Sequence, residues 1–312
     1  MMQSFPKYSF VMPAYKGQFI RESILSILNQ DYKDFELIVV DDASPDNLES
    51  IVSEFQDERI RFYRNEKNIG GSDLVAQWNH SLEFARGEWV VLATDDDVYE
   101  PAFLSTADYL LAQYPSVDLF HSRICHCDEQ LKPFKFEPPL PDYASYEEFF
   151  YMMYHGILGG IPQYMFRLKA LKDKGGFYSL PKAQGSDDIS ALMLAKNGVV
   201  CSGRILTRFR YSGLNMSEGP YQKERLFARF LSYEYTYMHL IPALNKDDIF
   251  TKGYVRDLLS LFPYAAKNEI IRCMREIPLL QRHKYIHWIF EHTPYLNKRN
   301  KYSMIYRVYI KK

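Results

Sequence analysis

With 312 residues, 47% of them apolar, the chain has room for about two domains and ample material for a buried core, which excludes disorder as its dominant state. Its 38 Lys and Arg balance 39 Asp and Glu, and the net charge of -1 removes any global reason to expect nucleic acid as a partner. No run approaches the ~20 apolar residues that span a bilayer, and Met1 to Tyr15 lacks the apolar centre of a signal peptide, so the chain reads as cytoplasmic.

Tyr8 to Pro13 is a short apolar strand, ended by a loop containing Gly17, and Ile20, Ile24, Ile27 and Leu28 then recur at helical spacing. Phe35 to Val40 forms a second buried-type strand that stops at Asp41 and Asp42. Ser44 is expected to cap the next helix, with Pro45 at its first position and Leu48, Ile51, Val52 and Phe55 on one face. Ile60 to Tyr63 is a third strand. Gly70 and Gly71 open a helix striped by Leu74, Val75, Trp78 and Leu82, and Gly87 closes it. Strand and helix thus alternate four times in the first hundred residues. That alternation predicts a parallel sheet with right-handed crossovers, whose first, second and fourth strands end along one rim.

The fourth strand opens the stretch WVVLATDDDVY, Trp89 to Tyr99. Three adjacent carboxylates, Asp95, Asp96 and Asp97, repel one another unless water or a cation screens them. They sit where an open α/β sheet presents its ligand crevice, and they read either as a Mg²⁺ or Mn²⁺ site for a phosphorylated substrate or as a solvated acidic turn. Tyr15, Asp42 and Asp96 are expected to share that crevice.

Beyond Pro101 a helix turns Phe103, Leu104, Ala107 and Leu111 inward, and an apolar strand runs from Val117 to about Cys125. Cys125, Cys127, Cys201 and Cys273 are too scattered for a disulfide framework, and Cys125-His126-Cys127 alternates faces without a second ligand pair, which disfavours zinc. Residues 133 to 142 hold four prolines and read as a loop with no regular element. Gln163 to Arg167 is a short strand. Gln184 to Asp188 leads into a helix from about Ile189 to Lys196, whose dipole favours acids at its start, so simple capping competes with function for Asp187 and Asp188. Val199 to Tyr211 makes one or two further strands, and Tyr211 to Gly219 is a polar loop.

From about Pro220 helix formers and aromatics dominate, which places a boundary near Met216: residues 1–216 as the sheet domain and 217–312 as a mainly helical extension. Helices are expected over Tyr221 to Leu244, Lys252 to Leu261, Ala265 to Arg275 and Leu279 to Phe290. The tail from Lys298 to Lys312 carries six Lys or Arg and no acid, interleaved with Tyr302, Met304, Ile305, Tyr306 and Tyr309. It suits either peripheral contact with an anionic membrane surface or a helix or edge strand with a solvated basic face.

SFVMPAY (Ser9 to Tyr15), ELIVVDDASPD (Glu36 to Asp46), NIGG (Asn68 to Gly71), GEWVVLATDDDVYEP (Gly87 to Pro101) and GGFYSLPKAQGSDD (Gly175 to Asp188) resemble, in order and spacing, the pattern of glycosyltransferase family 2. The likeness covers about residues 5 to 217. It implies a GT-A fold, a Rossmann-like α/β architecture with a mostly parallel central sheet flanked by helices. It also implies an inverting mechanism, a nucleotide-sugar donor and Mn²⁺ or Mg²⁺ as cofactor. By that resemblance Asp96 would coordinate the metal, with Asp97 assisting it, and Asp95 would reach the ribose. Asp42 would accept the imide N–H of uracil or thymine, with Pro13, Ala14 and Tyr15 packed beside the base. Asp188 would be the catalytic base and Asp187 an acceptor-binding residue. The implied activity is transfer from a UDP-sugar to a glycan or lipid-linked acceptor, in surface polysaccharide synthesis.

Three departures from the family pattern stand out. Thr94 replaces the first acid of the metal motif, Ser212 stands where many members carry a His, and Trp78-Asn79 replaces Arg-Asn, leaving Arg210, Lys67 or a loop residue to face the diphosphate. A sugar nucleotidyltransferase would need a Gly-rich phosphate loop after the first strand, which PAYKGQ is not, and a dehydrogenase would need G-x-G-x-x-G. An inactive nucleotide- or glycan-binding module of the same fold is opposed by the joint retention of Asp42, Asp96 and Asp188.

Overall fold

The computed structural model describes residues 5–157, 159–213 and 222–310. The predicted apolar runs become β1 (Tyr8–Ala14), β2 (Phe35–Asp41), β3 (Ile60–Arg64) and β4 (Trp89–Leu92), all parallel and ordered β3-β2-β1-β4. Parallel neighbours cannot be joined by a hairpin, so helices α1 (Ile20–Leu28), α2 (Leu48–Ser53) and α3 (Leu74–Leu82) carry the crossovers. Alternation along β1 divides the core between the two faces. Phe10 and Met12 join Ile20, Ile24 and Ile27 on one side, while Val11 joins Val75, Trp78 and Leu82 on the other.

The second half widens the sheet. Its elements are β5 (Val98–Tyr99), α4 (Phe103–Leu111), β6 (Leu119–Cys127), β7 (Pro133–Phe136), β8 (Tyr143–Ala144), α5 (Tyr146–Met153), β9 (Tyr164–Arg167), α6 (Leu168–Asp173), α7 (Ser186–Leu194) and β10 (Val199–Arg210). Strand β9 runs antiparallel between β4 and β6, and β10 lies parallel to β6, giving a ten-stranded mixed sheet.

Several local expectations need correcting. Residues 133–136 form an exposed strand paired antiparallel with β6, where Pro133 is tolerated because it opens an edge strand. Helix α2 begins at Leu48 with Asn47 accepting from the Ser50 N–H, while Ser44 Oγ donates to the Tyr15 carbonyl at 2.5 Å and ties two rim loops together. Helix α5 was legible but unread: Ser145 and Glu148 form a reciprocal capping box, the S-x-x-E signature. Asp187 and Asp188 lie inside the first turn of α7 rather than ahead of it.

In the C-terminal part, α8 (Gln222–Tyr235) continues into a π-helical segment, Thr236–Leu240. One 28-residue helix, α9 (Ile249–Glu276), replaces the two expected on either side of Pro263. An interior proline costs about 3 kcal/mol, but Val255, Leu258, Phe262, Ala266, Ile270 and Met274 keep one buried stripe in phase across it. Packing outweighs propensity there. A 3₁₀ stretch, Leu279–Tyr285, precedes α10 (Ile286–Glu291), and the basic tail is α11 (Lys298–Tyr309), with Met304 and Val308 inward. Leu226, Phe230 and Phe262 join the same core cluster as Val11 and Trp78, so extension and sheet share one hydrophobic core. The expected boundary near Met216 and much of the 211–219 loop lie outside the described residues. Among the described residues no helix is long and apolar enough to cross a membrane.

Two glycines test this packing with opposite signs. A Cβ on Gly87 would lie 2.9 Å from the Ser9 nitrogen and the Tyr8 carbonyl carbon, backbone that cannot yield. Gly87→Ala should lower stability by about 1–3 kcal/mol, read as an earlier urea midpoint. Gly253 on α9 has nothing within 4 Å, so Gly253→Ala should raise stability by about 0.5–1 kcal/mol.

Candidate active site

Because β1, β2 and β4 are parallel, their carboxyl ends reach one rim, and there the chain encloses a cavity of about 730 Å³. Pro13 and Ala14 line it from β1, Tyr15, Asp42, Asp95, Asp96 and Asp97 from the loops that follow β1, β2 and β4, and Asp187 from α7. Gly159, Gly160, Phe209 and Tyr211 form the opposite wall. Asp188 flanks that wall, its Oδ1 lying 3.5 Å from where a Cβ on Gly159 would stand.

Asp42 is buried and built into the rim. Its Oδ1 accepts from Asn65 Nδ2 and the Ile69 N–H, both at 2.8 Å, and its Oδ2 accepts from the Gly70 N–H at 2.7 Å. The NIGG turn is folded around this carboxylate. Glycine keeps position 70 uncrowded, since a Cβ there would approach Asp42 Oδ2 to 3.0 Å. Each carboxylate oxygen has two acceptor sites, so Asp42 Oδ2 retains capacity toward a ligand.

The acidic triplet divides into three environments. Asp95 Oδ2 accepts the backbone N–H groups of Tyr15 and Lys16, at 2.9 and 2.8 Å, which pins the loop after β1. Asp96 Oδ2 faces the Lys16 ammonium at 2.7 Å, and Asp95 Oδ1 lies 3.3 Å from the same nitrogen. Asp97 has both oxygens engaged, Oδ1 by the Arg210 N–H at 2.8 Å and Oδ2 by the Thr94 hydroxyl at 2.5 Å. Burial raises the pKa of Asp95 and Asp97; Lys16 opposes the shift at Asp95, whereas the charge of Asp96 adds to that at Asp97. Thr94, the residue in place of the family's first acid, therefore buttresses the third.

The cations were not all where the sequence suggested. The Arg210 guanidinium lies beneath the triplet, donating from Nε to the Asp96 carbonyl at 2.8 Å, pairing with Glu22 and stacking on Phe19 at 4.3 Å. Lys67 is exposed and does not line the cavity, but Lys16 and Lys182 do. Sequence reasoning missed both, although Lys16 directly follows the PAY motif. Lys182 donates to the Gly71 carbonyl at 2.8 Å, and with Ala183 it holds left-handed backbone, φ 52° and 55°, uncommon for side-chain-bearing residues and typical of ligand-facing segments.

Across the cavity, Gly185 precedes α7 and turns the chain with a φ of 89°, and no side chain caps the helix in the usual way. Asp187 Oδ1 accepts the Asp188 N–H at 3.0 Å. Burial, reinforced by the charge of Asp187, pushes Asp188 up to about 7, against the pull of Arg229 from α8. Burial also raises Asp187, opposed by the Asp188 N–H and Arg229. A group titrating near neutrality is suited to take a proton there.

Among the described residues no three His, Cys, Asp or Glu side chains are grouped to enclose a metal ion. The donor set still fits Mg²⁺ or Mn²⁺ of a particular kind. Such ions take hard oxygen ligands, often from one or two carboxylates plus a substrate's phosphates, and Asp96 offers its carboxylate to the cavity with Asp97 behind it.

Comparison with known proteins bears on the fold and on the first half of the chain. Residues 9–158 match the model for Glycosyl transferase family 2. The chain is 33% identical over 176 residues to an uncharacterized glycosyltransferase of Methanocaldococcus jannaschii, covering 54% of this chain and 58% of that protein. It is 39% identical over 104 residues to the GalNAc(5)-diNAcBac-PP-undecaprenol beta-1,3-glucosyltransferase of Campylobacter jejuni, covering 32% of this chain and 33% of that protein. These matches span less than two thirds of either relative. Of solved structures, S. aureus TarS 1-349 in complex with UDP-GlcNAc superposes with a TM-score of 0.70 at 18% identity, over 97% of this chain and 89% of that one. The mannosyltransferase PcManGT from Pyrobaculum calidifontis, in complex with GDP-Man and Mn²⁺, gives 0.55 at 18% identity, over 98% and 85%. The fold is thus GT-A, and residues 9–158 carry the likeness to glycosyl transferase family 2.

Proposed function

We propose that the chain is an inverting glycosyltransferase that moves a sugar from a nucleotide-diphosphate donor, a UDP-sugar first, to a hydroxyl of a glycan or lipid-linked acceptor in surface polysaccharide synthesis. The observation that carries this reading is the convergence of Asp42, Asp96 and Asp187 on one cavity, from two strand ends and a helix start. The glucosyltransferase relative whose name includes an undecaprenol-linked glycan, and the TarS complex with UDP-GlcNAc, support the acceptor and donor classes.

On this reading Asp42 uses its remaining acceptor capacity for the imide N–H of the base, and Pro13, Ala14 and Tyr15 pack against the ring. Asp95 reaches the ribose from the position where it also holds the Tyr15 and Lys16 amides. Asp96, assisted by Asp97, would hold Mn²⁺ or Mg²⁺, which when bound supplies positive charge against the leaving diphosphate. Asp187 orients the acceptor. Asp188 takes the hydroxyl proton as the acceptor oxygen attacks the anomeric carbon; the bond to the diphosphate oxygen breaks on the opposite face, and the configuration inverts.

The work is assigned to the cytoplasmic side of a membrane. On α11, Tyr302, Tyr306 and Tyr309 are exposed next to Lys298 and Arg299, an aromatic and basic face suited to anionic headgroups. Protein should co-sediment with phosphatidylserine vesicles at low salt and be released by added salt; Tyr302→Ser with Tyr306→Ser should weaken the association, and no sedimentation of the parent protein would sink this assignment.

A thermal-shift panel of UDP-, dTDP- and GDP-sugars, each with Mn²⁺ or EDTA, tests the donor reading, since a ligand of the native state raises the melting temperature. At least one donor should stabilise the protein with Mn²⁺, and Asp96→Ala should remove that gain. Indifference to every donor would refute the proposal.

Asp188 gives two readouts. Transfer should rise about tenfold per pH unit toward pH 7 and then level off, and Asp188→Asn should lower kcat by roughly 10²–10⁴ while sparing donor binding. The second readout is stability. Its native pKa, raised from 3.8 to about 7, means that the native state holds a proton the unfolded state has released, so wild-type stability falls as pH rises between those values. Asp188→Asn should therefore be more stable than wild type above pH 7, by on the order of 1 kcal/mol once screening is allowed for, and equal to it at pH 4. Equal urea midpoints at pH 8 would overturn the assignment.

A further inference from the structure

Lys16 stands where the Asp95 and Asp96 carboxylates of the rim converge. Its ammonium is 2.7 Å from Asp96 Oδ2 and 3.3 Å from Asp95 Oδ1, its side chain is 27% exposed, and it lines the cavity between Tyr15 and Asp96. The base of the same arm is fixed, because Asp95 Oδ2 accepts the Lys16 backbone N–H. Lys16 is therefore a charged group on a four-carbon stem, fixed at its backbone and ion-paired at its tip, where the stem lets the ammonium exchange partners within the cavity.

Its present partner cannot serve two cations equally. A divalent ion on Asp96 would meet an ammonium hydrogen-bonded to the same carboxylate, and the two positive charges repel at that range. A diphosphate entering the rim meets the opposite imbalance, since Asp95 and Asp96 add negative charge to its own and one divalent ion leaves an excess. Moving the ammonium from Asp96 to a phosphate oxygen relieves both conflicts. Resting on the donor reading above, we propose that Lys16 is a tethered counter-ion for the donor's diphosphate: it neutralises Asp95 and Asp96 in the free protein and passes to a phosphate oxygen when the nucleotide binds.

The consequence is a pair of effects with opposite signs. Removing the ammonium should weaken nucleoside diphosphate binding, most when the divalent ion is withheld, and should strengthen Mn²⁺ binding to the nucleotide-free protein. Isothermal calorimetry with UDP, dTDP and GDP, in Mn²⁺ and in EDTA, reads the first effect, and electron paramagnetic resonance of free Mn²⁺ reads the second. Lys16→Gln should raise the nucleotide Kd by ~10-fold or more, the value expected for losing one charge-assisted hydrogen bond. Lys16→Arg should retain most of the affinity. Circular dichroism and the urea midpoint of Lys16→Gln check that the rim remains folded. If the parent binds a nucleoside diphosphate and folded Lys16→Gln binds it as tightly, or if its Mn²⁺ affinity is unchanged or lower, the role of Lys16 is overturned while the donor reading stands. If the parent binds none of the three with Mn²⁺, the donor reading itself falls and takes this proposal with it.

Discussion

Three consecutive carboxylates can end a buried strand only if each is given its own source of positive potential. At the end of β4, Asp95 receives two backbone N–H groups, Asp96 a lysine ammonium, and Asp97 a backbone N–H with a threonine hydroxyl. The donors come from different places in the chain. Tyr15 and Lys16 follow β1, Thr94 precedes the triplet, and Arg210 closes β10 more than a hundred residues later. Repulsion among the acids is thereby turned into a demand that these elements meet, and the rim takes its shape from satisfying it.

The same logic explains the placement of the remaining loops. Asp42 draws Asn65, Ile69 and Gly70 around its carboxylate, and Ser44 donates to the Tyr15 carbonyl, so the segments after β1, β2 and β3 are tied together. A parallel sheet supplies only the direction in which strands end. Hydrogen bonds to buried carboxylates fix where the loops stop, which lets a cavity wide enough for a nucleotide remain open with polar groups aimed into it.

Much of this was legible in the sequence, for a physical reason. Strands β1, β2 and β4 are buried on both faces and read as mostly apolar runs, and the acids that follow β2 and β4 are local features that need no tertiary knowledge. What escaped depended on partners far along the chain. Pro133 forbids a central strand but not an edge strand, and only β6 beside it makes 133–136 regular. Pro263 breaks a helix by propensity, yet the buried stripe from Val255 to Met274 carries α9 through it. Ser44 reads as a cap until Asn47 takes that role and the Tyr15 carbonyl claims its hydroxyl. Lys16 follows the PAY motif but carries no periodic signal, and its partners are two acids some eighty residues later.

The C-terminal helices belong to this electrostatic scheme as well as to the core. Asp187 and Asp188 are pushed upward by burial, and the positive charge that opposes the shift comes from Arg229 on α8. Arg229 is itself held 3.6 Å from Glu269 of α9, and its guanidinium comes within 3.3 Å of where a Cβ at Gly185 would stand. A glycine just before α7 is favoured by its left-handed φ, and a side chain there would also crowd the arginine. Burial pushes both acids toward the protonated form, and Arg229 pulls them back toward the charged one. The extension supplies the counterweight, so the proton affinity of the proposed base is set jointly by α7 and α8, both beyond the matched family segment.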